Sequence, residues 1–590
     1  MILLVPLDPV HDVGLKMIKR ALEEAGHDTV LLPPDMTPSE IIARAEKIRP
    51  SHILVSRTLG YQAEEVLARL ADLADAAGIR ERTRMIIGGM AVRPELAQEL
   101  GFDAGFGPGT SPSEVVAFIE GRPAPSEQCE EVRSKKDLTA GYTYRFKDES
   151  VGKLAEELAD ELLLWAGERT SPAVERAEIR HAALMEGRSV GEDYLALCDE
   201  VVRAAYRTGT PPKKTRHLTS DEQRHLRTLG KRQYGASRPR SHAGLVLFVQ
   251  YGTGCPFMDV AHIKAAVAWG ADGVVHFDPS WGARTEGLLE GWLTHEEDGS
   301  VITPENLRAI REGLEPWVLW QVRAHRGLNT PETVVLAGHS GADLTKINIA
   351  YGSLGGGTDP ERLAVDGVAA MRWAARFSMP FDIVTNEELS GVPAGKAFAS
   401  MLVMAALAKK VGARPILQPL FCKSPEVMIG GYMSDNYVDF NAAKVLVLRD
   451  ILDAPVWPGA PVGFLTQTED RVQSSLTTGL HACLAGFLGA DAVTIASSDE
   501  AYSGGPITAA ARTDTLTAVQ AAARFFGRCA ITLTAEAERF RRLIYAQICD
   551  ALTEAQKAPS FVQAIYDGVF GSREDGAHPG RNGRGTVRMK

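Results

Sequence analysis

Short apolar runs alternate with stretches of helical spacing over the first 122 residues. The runs Met1–Pro6, His52–Ser56 and Arg84–Gly89 have the length of buried strands, and Gly14–Glu24 places its apolar residues at helical intervals. Strands separated by helices are typical of a parallel, doubly wound sheet. The pattern therefore predicts an α/β domain of flavodoxin type over residues 1–122, whose ligands lie beyond the carboxyl ends of the strands.

The pattern changes between residues 123 and 240. Charged residues become dense, and the apolar positions fall in two stretches of helical spacing, Lys153–Trp165 and Tyr194–Tyr206. We expect a helical connector over 123–240 that packs on both of its neighbours. Its most basic part, Lys213–Arg232, is interspersed with acidic residues and lacks aromatic residues, which favours a solvated face over a nucleic-acid arm.

A third pattern fills the predicted domain 241–570: a short β-branched run, a polar or glycine-rich loop, and a helical stretch. Eight such strands joined through helices fit a (β/α)8 barrel better than an open sheet. The candidate strands are Leu245–Gln250, Gly273–Asp278, Val318–Arg323, Ile347–Tyr351, Asp382–Asn386, Pro415–Leu420, Val462–Thr466 and Ala492–Ala496. The run Val334–Gly338 competes for one of the middle places. Residues 571–590 are rich in glycine and arginine and predict either a mobile tail or a late packing arm.

Composition and charge narrow the function classes. The 590 residues carry 64 Lys and Arg against 75 Asp and Glu, a net charge of −11, which argues against nucleic acid as the main partner. No run of about 18 uncharged apolar residues occurs, so we expect no membrane span. The start of the chain lacks a basic leader, and the seven cysteines form no C-x-x-C pair. We therefore expect a cytoplasmic protein without structural zinc.

Candidate ligand-binding residues follow the strands of the first domain. His11 comes directly after the first strand, where an imidazole nitrogen can ligate a metal or titrate near neutral pH. Hydroxyl groups follow the second strand run. Two adjacent glycines follow the third, where we expect the missing side chains to let a large flat ligand approach the backbone. Besides His11, the residues concerned are Asp8, Gly14, Ser56, Thr58, Gly88, Gly89, Gly109 and Thr110.

This set resembles the cobalamin-binding domain of adenosylcobalamin-dependent mutases, in particular the small subunit of glutamate mutase. That family carries D-x-H-x-x-G, a serine at a strand end, a G-G pair and a P-G-T turn in this order. The matching residues are His11, Gly14, Ser56, Gly88, Gly89 and Gly109. The resemblance implies that His11 is the lower ligand of the cobalt, and that Ser56 and the glycine pair flank the nucleotide tail. Pro9 replaces the family aspartate that supports the histidine, so Asp8 or Asp12 takes that place or the ligand is held less firmly.

The barrel region resembles the large, catalytic subunit of the same enzyme. The resemblance implies that Arg323, in the segment QVRAH, binds a substrate carboxylate, which a guanidinium can hold in a bidentate pair. It also implies that Glu500 contacts the adenosyl ribose, although Ala496 stands where the family has a lysine. Of the family's two other clamp arginines, one is absent from QYGTG at 250–254 and one is displaced to Arg284.

The incomplete clamp predicts a substrate that carries a carboxylate but is not glutamate. Tyr251, His276 and Asn348 are alternative hydrogen-bonding groups for its other end. Further polar residues predicted at barrel strand ends are Asp278, Tyr351, Asn386, Glu387, Gln418 and Glu469. Among all of these, we expect Arg323, Glu500, Tyr351 and Asn348 to act in catalysis.

The combined resemblance implies an adenosylcobalamin-dependent radical mutase that rearranges the carbon skeleton of an amino acid or related acid. Two alternatives stay open. One is an aminomutase that also uses pyridoxal phosphate and needs a Schiff-base lysine. The other is a corrinoid carrier or sensor without mutase chemistry. By the same resemblance we expect a homodimer.

Overall fold

A computed structural model describes most of the chain. The described residues are 1–8, 12–60, 62–92, 94–107, 109–123, 134–205, 213–214, 219–230, 244–251, 256–276, 292–293, 303–323, 328–354, 357–385, 387, 391–422, 437–460, 471–495, 509–523, 532–575, 577 and 579–590. They form two compact units, Met1–Arg133 and Ser134–Lys590. Each unit has apolar cores of its own.

The first unit is a five-stranded parallel sheet between helices. Its elements are β1 (Ile2–Pro6), α1 (Val13–Glu24), β2 (Thr29–Leu31), α2 (Pro38–Ile48), β3 (His52–Ser56), α3 (Ala63–Ala76), β4 (Arg84–Gly88), α4 (Pro94–Glu99), β5 (Ala104–Phe106) and α5 (Pro112–Ile119). The strand order is β2-β1-β3-β4-β5. This is the flavodoxin-like order, which puts the change of winding direction between β1 and β3.

The strands of this sheet are continuous apolar runs because both of their faces are buried. Ile2 and Leu4 of β1 belong to a cluster that includes side chains of α1 and α5, whereas Leu3 and Val5 belong to a second cluster with side chains of α2 and α3. Alternate residues of one strand therefore serve the two helix layers, as the sequence pattern predicts.

The second unit contains eight parallel strands and a layer of helices. In chain order its elements are α6 (Glu149–Gly167), β6 (Arg169–Thr170), α7 (Pro172–Glu186), α8 (Glu192–Ala205), β7 (Lys213–Lys214), α9 (Ser220–Gly230), β8 (Val246–Tyr251), α10 (Pro256–Ala268), β9 (Gly273–His276), β10 (Trp292–Leu293), α11 (Pro304–Gly313), β11 (Leu319–Arg323), α12 (Thr330–His339), β12 (Leu344–Lys346), α13 (Ala350–Leu354), α14 (Pro360–Arg376), β13 (Phe381–Val384), α15 (Ala394–Lys410), β14 (Pro415–Gln418), α16 (Tyr437–Ile451), β15 (Gly459–Ala460), α17 (Arg471–Phe487), β16 (Ala492–Ile495), α18 (Ala509–Ala523), α19 (Ala535–Lys557), α20 (Phe561–Tyr566) and β17 (Arg588–Met589).

The eight-stranded sheet closes on itself. Its order is β14-β13-β12-β11-β9-β8-β16-β15. Parallel bridges Leu417↔Val456 and Leu420↔Gly459 then join the first strand of this order to the last. The amide of Phe421 also donates to the carbonyl of Gly459 at 2.8 Å. The predicted fold class, a flavodoxin-like domain followed by a (β/α)8 barrel, is confirmed.

Alternate residues of the barrel strands face opposite sides. Leu247 and Val249 of β8 pack in the large core with the helices, whereas Val246 and Phe248 lie in a separate cluster inside the barrel. The members of this interior cluster are Leu138, Val246, Phe248, Val275, Leu319, Leu344, Ile416, Trp457 and Ala492. The rings of Phe248 and Trp457 stack with centres 4.1 Å apart. We call this cluster the apolar floor; it makes the barrel a packed core rather than a pore.

One predicted strand is wrong. The strand lies at Leu344–Lys346, and the predicted span Ile347–Tyr351 runs into the helix Ala350–Leu354. This strand contains two polar residues, Thr345 and Lys346, so its sequence does not look like a buried strand. The more apolar run that follows it does. The competing run Val334–Gly338 belongs to helix α12. The predicted strand Val462–Thr466 lies outside the described residues.

Two peripheral segments pack on the barrel. Helices α6 and α7 contact the barrel helices α15 and α12, respectively. At the other end of the chain, β17 pairs with β6, and the Arg362 guanidinium donates to the Thr586 hydroxyl at 2.7 Å. The described part of residues 571–590 therefore forms a packing arm.

A buried ionic cluster joins these peripheral helices to the barrel. Glu332 of α12 accepts hydrogen bonds from Arg176 at 3.2 Å and from Arg180 at 3.1 Å, both on α7. Tyr194 of α8 donates its hydroxyl to the same carboxylate. All four side chains are buried. The carboxylate thus neutralises two buried guanidinium groups, and removing it leaves their charges uncompensated.

We predict that Glu332→Leu destabilises the second unit by about 3–5 kcal/mol, because two guanidinium groups then lie buried without their acid. Chemical unfolding monitored by tryptophan fluorescence measures this unit alone, since all eight tryptophans lie in it. The control is Glu178→Gln, an exposed acid on the same helix as both arginines. Equal unfolding midpoints for the two variants would contradict the prediction.

Candidate functional site

The carboxyl ends of four strands meet at one edge of the first unit. Pro6, Ser56, Gly88 and Phe106 are successive partners in the register of β1, β3, β4 and β5. The loops after these strands carry the predicted ligand-binding residues. They include the β1/β3 switch point, where flavodoxin-like folds bind their ligands. The structure thus brings Asp8, Ser56, Thr58, Gly88, Gly89, Gly109 and Thr110 to one edge.

Asp8 connects the loops after β1 and β3. Its buried carboxylate accepts hydrogen bonds from the backbone amides of Thr58 at 2.6 Å and Leu59 at 3.1 Å. The Arg57 guanidinium lies 3.2 Å from the same group and donates to the Leu7 carbonyl at 2.9 Å. Asp8 therefore shapes the loop after β3. Asp12 instead pairs with Lys16 at 2.8 Å.

The glycine pair packs closely against neighbouring strand ends. A Cβ on Gly89, whose φ is +123°, would lie 2.3 Å from the carbonyl oxygen of Arg57. A Cβ on Gly88 would lie 3.2 Å from the carbonyl oxygen of Phe106. Gly89 therefore needs glycine because the backbone at Arg57 packs against it, whereas a side chain on Gly88 would be tight against the end of β5. The expectation that their missing side chains make room for a ligand stays a prediction.

Open space lies at other glycines of the edge. No atom lies within 4 Å of a Cβ built on Gly14, Gly60 or Gly109. Thr110 turns its hydroxyl back to the Gly107 carbonyl at 2.9 Å. Nearby, Val13, Leu59 and Met90 expose apolar side chains. The edge is therefore open and partly apolar. His11 lies outside the described residues, between Asp8 and Asp12 in the sequence.

A polar layer lies above the apolar floor at the carboxyl end of the barrel. Arg323, Lys346 and Asp382 are register partners at the ends of adjacent strands. The Lys346 ammonium contacts the Asp382 carboxylate and the Gln418 amide oxygen. Gln321 donates to Asp382 and, at 3.1 Å, to the Thr345 carbonyl. Arg323 is half-buried, and the other side chains of this layer are buried.

Two acceptors in this layer lack a donor. The side-chain oxygens of Gln250 and Gln321 are buried without a hydrogen-bond partner in the described part of the chain. Both residues are register partners of Val275, which belongs to the apolar floor, so all three face the barrel interior. Buried acceptors are nearly always satisfied. A ligand or water that donates hydrogen bonds would complete these two.

The other predicted barrel residues differ in what their side chains contact. Asn348 donates to the Val384 carbonyl and accepts from the Tyr351 amide at 2.7 Å, so both ends of its side chain contact the backbone. Tyr351 is buried on α13 rather than at a strand end. Tyr251 faces the helices, where its hydroxyl accepts a hydrogen bond from Trp320 at 2.7 Å, so it does not serve the barrel interior.

The Glu387 carboxylate contacts a backbone amide and a lysine. Its carboxylate accepts from the Leu420 amide at 2.6 Å and lies 3.2 Å from the Lys444 ammonium. Further predicted residues lie outside the described part of the chain: Asp278, Arg284, Asn386, Glu469, Ala496 and Glu500. For His276 only the backbone is described.

Sequence reasoning missed Gln250, Gln321, Lys346 and Asp382 as members of this layer. A signal for two of them exists: Lys346 and Asp382 are charged residues inside short strand runs. In a parallel barrel strand, which is buried on both faces, a charged residue indicates the polar end of the interior.

Comparison with known proteins adds a family for the first unit. Residues 1–117 match the family model of the B12 binding domain. The first unit therefore carries a cobalamin-binding domain of flavodoxin-like fold. Among the described helices, none has the length and apolar composition needed to cross a membrane. The described residues also hold no cluster of three or more His, Cys, Asp or Glu suited to a metal ion.

Two curated relatives are aminomutase subunits. The lysine 5,6-aminomutase beta subunit of Fusobacterium nucleatum is 32% identical over 120 residues, which cover 18% of this chain and 46% of that subunit. The corresponding subunit of Acetoanaerobium sticklandii is 31% identical over 119 residues, covering 18% and 45%. The chain thus spans slightly less than half the length of these relatives. The particular likeness to glutamate mutase stays a prediction.

Solved structures resemble parts of the chain. A cobalamin-binding protein from Desulfitobacterium hafniense is 23% identical and covers 20% of this chain and 56% of its own, with a TM-score of 0.19. Dihydropteroate synthase from Anaplasma phagocytophilum is 16% identical and covers 48% of this chain and 98% of its own, with a TM-score of 0.31.

We predict that Lys346→Met destabilises the second unit by about 3–5 kcal/mol, because it leaves the Asp382 carboxylate buried without its cation. Adding Asp382→Leu should restore much of the loss, since both charges are then gone. The matched control is Lys410→Met, whose ion pair with Asp160 lies at the surface and contributes at most about 1 kcal/mol. Tryptophan fluorescence during chemical unfolding measures all three. A double variant less stable than Lys346→Met would contradict this account.

Proposed function

We propose that the protein is an adenosylcobalamin-dependent mutase, an isomerase that rearranges the carbon skeleton of a carboxylate-bearing substrate. The observation that carries the proposal is the presence, on one chain, of a B12 binding domain and a barrel with Arg323 beside a buried polar layer. Barrel enzymes place their active sites at this carboxyl end.

The edge of the first unit fits a corrinoid. Open space surrounds Gly14 in the first turn of α1, Gly60 and Gly109, and Leu59 and Met90 expose apolar side chains. These features suit a large, flat, mostly apolar group. We assign His11, in the loop after β1, as the cobalt ligand. Asp8 or Asp12 would orient it, as carboxylates orient metal-bound histidines.

The remaining residues of this edge hold the loops that surround the cofactor. Ser56 and Thr58 offer hydroxyls after β3, and Gly109 and Thr110 form the turn after β5. Gly88 and Gly89 keep the neighbouring loops in close contact. When bound, adenosylcobalamin supplies the organic radical that starts the rearrangement, while the protein binds, orients and shields.

The barrel residues bind and orient the substrate. Arg323 pairs with a substrate carboxylate, and its fork geometry fixes the direction of the bound molecule. Lys346 is already neutralised by Asp382, so we assign the substrate carboxylate to Arg323 rather than to Lys346. The unsatisfied oxygens of Gln250 and Gln321 favour an amine or hydroxyl on the other part of the substrate. The apolar floor excludes water from below.

An aminomutase is the second candidate, and the two curated relatives favour it. This reaction needs a lysine that forms a Schiff base with pyridoxal phosphate. Lys346 is the lysine of the described barrel interior, and Asp382 and Gln418 hold it. Borohydride reduction of protein incubated with pyridoxal phosphate, followed by peptide mass analysis, decides the question. A labelled lysine supports the aminomutase, and unlabelled protein supports the carbon-skeleton mutase.

A third candidate is a corrinoid carrier or sensor without mutase chemistry. Anaerobic incubation with adenosylcobalamin and candidate amino or hydroxy acids separates it from a mutase. A mutase produces a substrate-dependent paramagnetic cobalt signal in electron spin resonance, because the radical forms only with substrate present. A carrier or sensor produces none with any of the acids.

We predict that cobalamin binds through His11, with its own benzimidazole base displaced. Protein labelled with ¹⁵N-histidine should show ¹⁵N coupling to paramagnetic cobalt, and His11→Ala should abolish it. The matched control is His52→Gln, because His52 begins β3 at the opposite edge of the sheet. Coupling that persists in His11→Ala, or benzimidazole coupling in the wild type, would refute the assignment.

We also predict that Arg323→Lys weakens substrate binding and turnover by at least about tenfold, because an ammonium cannot make the planar two-point contact. Cobalamin affinity should not change, since the cofactor-binding edge belongs to the other unit. Isothermal titration with the active acid and absorbance titration with cobalamin measure the two affinities. An unchanged affinity for the acid would remove Arg323 from the site.

A further inference from the structure

The helix α17 exposes an apolar stripe, which we define as Val472, Leu476, Leu480, Cys483 and Phe487. The side chains of Val472 and Leu476 are 70% and 71% exposed, and those of Leu480 and Phe487 are 40% and 41% exposed. The intervals of four, four, three and four residues keep all five on one face of the helix. The stripe runs for about 22 Å, at 1.5 Å per residue.

Beyond its first residue, Arg471, this helix carries no charged side chain. Residues 472–490 contain no Asp, Glu, Lys or Arg. Burial lowers the pKa of His481, on the inner side of the helix, to about 3, so this imidazole is also neutral. By contrast, the outer helix α19 exposes several charged residues, Glu536 and Arg539 among them. Contiguous apolar patches on a soluble protein indicate an interaction site.

We propose that the apolar stripe is the contact between two copies of this chain, which pack their α17 helices antiparallel across a twofold axis near Leu480. Each copy carries a net charge of −11, so two copies repel wherever their charged surfaces face each other. The stripe is a neutral surface on which they can meet. A twofold axis pairs it with itself, so apolar positions face apolar positions without a second complementary surface.

The spacing of the stripe suits helix pairing. Intervals of three and four residues are those at which apolar side chains of one helix insert between those of another. Leu480 lies at the middle of the stripe, so an antiparallel pair brings the two copies of this residue together. Small residues on the same exposed face, Ser475 and Gly486, allow the helices to approach closely.

The experiment is sedimentation equilibrium of the full chain and of Leu480→Glu and Leu480→Lys, singly and mixed. We expect the wild type at twice its 63.7 kDa chain mass. Each single variant should be a monomer, with a dimer dissociation constant raised at least about 100-fold, because two like charges would lie buried at the axis. An equimolar mixture should form dimers again, since opposite charges then face each other.

Leu164→Glu is the matched control, because Leu164 is 73% exposed on α6 and lies outside the stripe. It should remain a dimer. Circular dichroism and cobalamin binding equal to the wild type show that each variant is folded. A monomeric wild type, as expected if the first unit or another protein covers the stripe, would overturn the proposal. So would a dimeric Leu480→Glu, or a mixture that stays monomeric.

Discussion

Parallel pairing of strands brings their carboxyl ends to one side of a sheet, and both candidate sites depend on this alignment. In the first unit, Pro6, Ser56 and Gly88 lie level with one another. In the barrel, Arg323, Lys346 and Asp382 do the same. Helices cover both faces of the first sheet and the outer face of the barrel, whose inner face packs on the apolar floor, so the strand ends are where polar side chains can meet a ligand. The loops that follow are free to carry chemistry without disturbing the apolar runs beneath.

The buried pair of Lys346 and Asp382 sets the electrostatics of the barrel interior. Each charge loses its hydration, so each needs the other and the two amides of Gln321 and Gln418 around them. The pair is neutral as a whole. Within the proposed function, Lys346 therefore does not compete with Arg323 for the substrate carboxylate. This balance explains, within the proposed function, why one carboxylate is recognised and why the rest of the substrate contacts neutral acceptors.

Local patterns predict the fold well because burial on both faces leaves a clear trace in the sequence. The runs around Leu3 and Leu247 are apolar throughout, and their alternation with helices defines both sheets. The strand Leu344–Lys346 escapes prediction because Lys346 serves the barrel interior and its neighbour Thr345 is also polar. Contacts over long sequence separations also escape it. The bond from Thr58 to Asp8 spans 50 residues, and no local pattern shows it. The need for glycine at 89 likewise arises from Arg57, a neighbour only in the folded sheet.

The apolar floor also serves the proposed chemistry, because a radical reaction needs water kept away from the reacting atoms. It packs the barrel interior beneath the polar layer, where the rings of Phe248 and Trp457 stack with centres 4.1 Å apart. Water therefore cannot reach the polar layer through the floor. Shielding of the reacting atoms is decided at the carboxyl ends of the strands, which is also where Arg323 lies.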